Sequence, residues 1–132
     1  MAHGSRSRAG ISCAVAIKPR KIVAMPATHD YAANEPSRSE IDALAGPTLL
    51  EIGSPWCGHC RRAQPLIDEA LASHAGVRHI KVADASQRRL GRSFAVKLWP
   101  TLVFLKDGRE VARLVRPRDV EAVRKALAEI DR

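Results

Sequence analysis

Cys57 and Cys60 are the residues whose type and spacing most directly imply chemistry; they stand in the run Trp56-Cys57-Gly58-His59-Cys60. Two cysteines at this spacing at a helix start can close a small disulfide or lie open as a dithiol. The first falls where unpaired backbone N–H groups and the helix dipole favour negative charge, which depresses its pKa and leaves a thiolate able to attack a disulfide. The second, one turn in, is more buried and can resolve the mixed disulfide. His59, between them, can stabilise the thiolate when protonated; stabilising the dithiol form makes such a pair a stronger oxidant. The competing reading is half of a zinc site, which needs four ligands, usually from a second Cys or His pair. Cys13, His59, His74 and His79 are the possible additions, and none pair at zinc spacing. His59 is badly placed to join a tetrahedron with both flanking thiolates, so cysteine arithmetic favours redox chemistry without a metal.

The elements that must position the pair follow from local patterns. Residues 39–45 read as a short helix, with Ser37 as cap and Glu40 three residues on. Gly46-Pro47 breaks it, and residues 48–53 form a buried strand. Pro55-Trp56 turns the chain into a helix over about residues 57–73. Its apolar positions Ala63, Leu66, Ile67, Ala70 and Leu71 share one face, and Pro65 inside it should kink it. A strand over 77–82 and a shorter helix over 86–94 follow. Strands 101–105 and 111–115 flank Asp107-Gly108, a hairpin signal that makes them antiparallel. A closing helix over 117–130 places Val120, Val123, Leu127 and Ile130 on one face. This order predicts an α/β fold with a mixed sheet covered by helices on both faces. The expected organisation is a flexible N-terminal extension over residues 1–37 and one domain over 38–132. Cys13 reads as a free thiol in that extension, and Met25 as an alternative start for the domain.

The bulk numbers exclude several function classes. The chain has 132 residues, enough for one core, and its longest apolar runs fall far short of the roughly 18 residues of a membrane span. Residues 9–17 resemble a weak signal-peptide core behind Arg6 and Arg8, but they are short and interrupted by Ser12 and Cys13, so a secretory signal is not expected. The net charge is +8, but the basic residues sit in the N-terminal segment or are scattered singly and in pairs, and aromatics make up 4%. A solvated basic surface is therefore expected, without nucleic acid or membrane as partner. Three cysteines cannot make a disulfide scaffold and fit a reducing compartment, so a cytoplasmic location is expected.

Taken together, these motifs resemble the thioredoxin family over about residues 39–130. The stretch from Leu49 to Cys60 is similar to the family's strand and active-site turn, and Pro65 to its helix-kinking proline. Trp99-Pro100-Thr101 resembles the loop whose proline is cis and faces the cysteines. The resemblance implies a thioredoxin-like fold and a thiol–disulfide oxidoreductase that needs no cofactor and acts as a monomer. Its partners would be protein disulfide substrates and a recycling reductase. Cys57 would attack and Cys60 resolve, while Trp56, Trp99 and Pro100 meet the substrate strand. Glu51 would be the buried acid beneath the second cysteine, exchanging a proton with Cys60, with Lys81 nearby. Residue by residue, Glu51 could otherwise mark an edge strand with one wet face, and His74 and His79 read as surface residues. Gly53 departs from the family's frequent tryptophan. The Gly-His dipeptide resembles that of protein disulfide isomerase domains. Arg116 stands where a glycine usually lets a partner approach, which would block some partners or select acidic ones. The alternatives are a disulfide oxidase or isomerase, or a non-enzymatic redox-sensing or binding module.

Overall fold

The computed structural model describes residues 30–132. Its elements, in chain order, are α1 (Arg38–Asp42), β1 (Pro47–Gly53), α2 (Gly58–Leu71), β2 (Arg78–Ala83), α3 (Leu90–Ser93), β3 (Thr101–Lys106), β4 (Arg109–Val115) and α4 (Val120–Ile130). The strands form one mixed sheet in the order β2-β1-β3-β4. β1 runs parallel to β2 and antiparallel to β3, and β3 pairs antiparallel with β4 across the Asp107-Gly108 turn.

β1 is therefore an inner strand, and every residue from Thr48 to Gly53 is buried. Alternation along it supplies both halves of the core. Leu49 packs with Ala63, Ile67 and Ala70 of α2, Leu102 and Phe104 of β3, and Val123 and Leu127 of α4. Leu50 and Ile52 face the other way, onto Ile41, Leu90 and Phe94. Each of the fully buried side chains contributes about 1.5–3 kcal/mol. Helices thus cover both faces of a mixed sheet, and the edge-strand reading of Glu51 is excluded.

α1 begins as expected: Ser37 Oγ accepts from the Glu40 N–H at 3.1 Å, and Glu40 Oε1 accepts from the Ser37 N–H at 2.8 Å. The helix expected over residues 86–94 contracts to α3. The Arg92 guanidinium takes the carbonyls of Ser86 and Arg88, which a longer helix would use for main-chain bonds, and Glu35 accepts from the N–H groups of Arg89 and Leu90. Residues 30–37 of the N-terminal segment contact the sheet and α3 through those Glu35 bonds and through the Ala32 N–H, which donates to the Lys81 carbonyl at 2.8 Å. Cys13 and Met25 lie outside the described residues.

The β3–β4 turn is pressed against α1. Gly108 has φ +81°, and a Cβ there would stand 1.9 Å from the Asp42 carbonyl oxygen. Gly108→Ala would meet both the left-handed backbone and this wall. It is expected to lower unfolding stability by at least about 2 kcal/mol, read from the denaturant midpoint. An unchanged midpoint would show that α1 does not press on the hairpin.

Candidate active site

Cys57 is the N-cap of α2, with extended backbone (φ −87°, ψ 125°), and its carbonyl accepts from the N–H groups of Cys60 and Arg61, both at 3.1 Å. Proline at 55 and the bond from the Trp56 N–H to Ser54 Oγ (3.2 Å) set the sharp turn from β1 into this cap. Cys57 is half-buried and Cys60 buried, and both are free thiols. Burial pushes the Cys57 thiol up, but it is outweighed. Hydrogen bonds from the Cys60 and His59 backbone N–H groups and the Cys60 thiol, with the Arg116 cation, carry Cys57 below its ordinary value. Cys60 goes the other way, pushed up to about 11, chiefly by burial and further by Cys57 and the Glu51 carboxylate. The Ser54 N–H, at 3.4 Å from Cys60 Sγ, partly offsets that rise. One thiol is thus a ready nucleophile and the other is held protonated beneath it.

Gly53 explains how the second sulfur fits. A Cβ at this position would stand 2.6 Å from Cys60 Sγ. The bulk absent from Gly53 is supplied from elsewhere: Tyr31 brings its hydroxyl to within 3.6 Å of that same Cβ position and into hydrogen-bond contact with Cys60. The Lys81 ammonium sits 4.5 Å from the Tyr31 ring centre and donates to Gln64 Oε1 at 2.7 Å. Burial, then the charges of Cys60 and Glu51, raise the phenol above its ordinary value, so it remains a donor. A cleft of about 640 Å³ lined by Tyr31, Gln64, Lys81 and Arg61 reaches Cys60 from this side. Sequence reasoning missed Tyr31; the glycine at 53 was the available signal.

Glu51 is fully buried on the α2 side of β1. Its Oε1 meets His79 Nε2 at 2.8 Å, while its Oε2 is buried with no hydrogen-bond partner among the described residues. His79, expected at the surface, has a side chain only 8% exposed. The parallel register places His79 beside Leu49 and Lys81 beside Glu51, so all three side chains share the face under α2. His74 is half-buried on Asp131 at 2.7 Å, away from this cluster. Among the described residues no group of three or more His, Cys, Asp or Glu side chains is placed to hold a metal ion.

The opposite wall is the loop before β3. The Trp99–Pro100 peptide bond is cis, and Pro100 is buried against the Gly53 side of the site. Trp99 Nε1 donates to Asp84 at 3.0 Å, and the Trp99 carbonyl accepts from Arg116 Nε at 2.8 Å. Trp56 is 85% exposed beside Cys57. His59 is exposed, with Nδ1 at 3.1 Å from an Arg62 nitrogen. Partial desolvation, Arg116 and Arg62 hold its imidazole below its ordinary pKa. That shift works against the imidazolium form of His59, while the Arg116 cation favours the Cys57 thiolate.

A family model described as thioredoxin matches residues 30–129. A thioredoxin of Chlamydia trachomatis serovar D is 32% identical over 88 residues, covering 66% of this chain and 86% of that protein. Protein disulfide isomerase-like 2-3 of Oryza sativa subsp. japonica is 24% identical over 125 residues, which span 88% of this chain but 28% of that protein. The solved structure of thioredoxin 2 from Pseudomonas aeruginosa PAO1 in its reduced form matches with a TM-score of 0.69 and 56% identity, covering 76% of this chain and 93% of that one.

The opposed shifts of the two thiols predict a split alkylation profile. Iodoacetamide should modify Cys57 with a midpoint below the roughly 8.5 of a free cysteine, and Cys60 should resist until near 11. Equal midpoints, read by mass spectrometry of the two sites, would contradict the asymmetry. In Tyr31→Phe the ring remains but the O–H donor to Cys60 is lost. The Cys60 thiolate should then form less readily, and a mixed disulfide on Cys57 should persist about 3- to 10-fold longer, as for a lost hydrogen bond of about 1 kcal/mol. An unchanged lifetime would show that the hydroxyl only fills space.

Proposed function

The chain belongs to the thioredoxin family of thiol–disulfide oxidoreductases, and we propose that it works as a reductase of protein disulfides in the cytoplasm, recharged by a separate reductase. The Cys57 thiolate attacks one sulfur of a substrate disulfide and forms a mixed disulfide, and the displaced substrate sulfur leaves as a thiolate. Cys60 then loses its proton and attacks Cys57 Sγ. The second substrate sulfur departs, and the pair closes as a disulfide. Substrate gains two electrons and the Cys57–Cys60 pair loses them. Glu51 accepts the Cys60 proton, and His79 holds the carboxyl in place for that transfer. Trp56, Trp99 and Pro100 form the rim that meets the extended substrate segment.

The observation that carries this reading is the contrast between the lowered Cys57 thiol and the raised Cys60 thiol in one helix turn. The reducing direction is supported by two further features. His59 is held below its ordinary value, so the imidazolium that would favour the dithiol is scarce. The Glu51 carboxylate also disfavours a thiolate at Cys60. The cytoplasmic placement rests on cysteine usage, with three in the whole chain and two of them in the active pair. One observation favours an oxidase or isomerase instead: Arg116 stabilises the Cys57 thiolate and so the reduced form.

The redox potential decides between the two. Titrated against dithiothreitol or glutathione buffers, the pair should lie closer to about −270 mV than to the roughly −180 mV of a disulfide isomerase. A value at the isomerase end would overturn the reducing assignment. In the same assay Cys57→Ser should abolish exchange, and Cys60→Ser should accumulate mixed disulfides.

A further inference from the structure

Beside Cys57 lies a cleft of about 510 Å³ that the exchange mechanism does not use. One wall is the outer face of α2, with His59, Arg62 and Leu66, and the other is the β4–α4 connection, with Arg116, Pro117 and Arg118. Among the described residues no carboxylate lines it. The three arginines make no ion pair with a carboxylate among the described residues. The acids nearby in sequence are engaged elsewhere: Asp119 accepts from the Ala122 N–H at 2.8 Å, and Glu69 meets Arg124 at 3.3 Å. His59, the remaining titratable group, is held towards its neutral form and so adds little charge of its own.

Arg116 shows that this cleft is held in shape. Its backbone lies at φ +52°, a region costly for a residue with a side chain. Its N–H donates to the Pro100 carbonyl at 3.0 Å, and its Nε to the Trp99 carbonyl at 2.8 Å. The second bond anchors the guanidinium at the substrate rim and leaves both Nη groups without a partner among the described residues. A planar, always-charged fork fixed in this way matches a carboxylate in two-point geometry.

We propose that this cleft selects protein disulfides flanked by acidic residues, with a substrate Asp or Glu carboxylate pairing with Arg116 and joined by Arg62 and Arg118. The proposal rests on the oxidoreductase reading above and names the substrate class of that same site. The carboxylate takes no part in the exchange, whose bonds and electrons are those already given. Its effect is to raise the encounter rate and fix the segment beside Cys57.

The test uses the full chain in its dithiol form and three disulfide-linked peptides, identical except for two residues beside the target sulfur: Glu, Gln or Lys. Second-order rate constants for reduction should follow the order Glu, Gln, Lys, with Glu over Gln by about tenfold near 0.01 M salt. That ratio should shrink by 0.1 M, as the Debye length falls from about 30 to about 10 Å. Arg116→Gly, whose glycine suits the backbone at this position, and Arg118→Gln should each bring the Glu-to-Gln ratio towards one. Using a ratio cancels any change in Cys57 reactivity common to all three peptides. Equal rates for the three peptides on an active protein would overturn the acidic preference alone. Reduction of none of them would overturn the oxidoreductase reading together with it.

Discussion

The sulfur of Cys60 has to fit between the end of β1 and the first turn of α2, and much of the site is arranged around that fit. Gly53 is the element that permits it, since a side-chain carbon there would stand 2.6 Å from the sulfur. Removing bulk at Gly53 would ordinarily open the sulfur to water. Here the gap is closed by Tyr31 from the segment preceding α1, fastened by the Ala32–Lys81 main-chain bond and by the Lys81 ammonium at its ring. The result is a sulfur that is buried yet hydrogen-bonded, by Ser54 from one side and the phenol from the other. Burial without those donors would leave a thiol too reluctant to ionise for resolution.

The difference between the two cysteines is a consequence of where the helix starts. Cys57, as N-cap, faces the N–H groups of the first turn; Cys60, one turn on, faces the sheet and the acid beneath it. The chain carries the same functional group at both positions, and position alone sends one pKa down and the other up. Glu51 belongs to this arrangement because β1 is an inner strand. An acid there has no route to water, and it takes its hydrogen bond from the neighbouring strand at His79. A pair of this kind costs desolvation, which is consistent with a proton-handling role better than with one in stability.

What was legible in the sequence was whatever has a local signature. Ser37 with Glu40 marks a capping box, Asp107-Gly108 a hairpin, and the apolar spacing of residues 63–71 one helix face; each sits within a few residues of where it was expected. α3 is shorter than its helix-like composition suggests because the side chains of Arg92 and Glu35 take the backbone groups a longer helix needs. Tyr31 and His79 were opaque for a different reason. Each acquires meaning only through a contact distant in the chain, Tyr31 through a void at Gly53 and His79 through the β1–β2 register. The sign of the His59 effect was also hidden, since it depends on Arg116 arriving from the β4–α4 connection.

Arg116 joins these threads. A glycine would satisfy the backbone at φ +52° without strain, so the arginine keeps a conformation that its own side chain makes less favourable. Two features offset that cost within the fold, its hydrogen bonds to the Pro100 and Trp99 carbonyls. Neither bond requires a charge, and a neutral donor would serve the Trp99 carbonyl as well. The charge acts on three things at once: it lowers Cys57, it keeps His59 towards the neutral form, and it lines a cleft with no acid among the described residues. A residue that strains the backbone to place a cation beside the attacking sulfur is best understood through what that cation faces, namely the thiolate when the site is empty and a substrate carboxylate when it is filled.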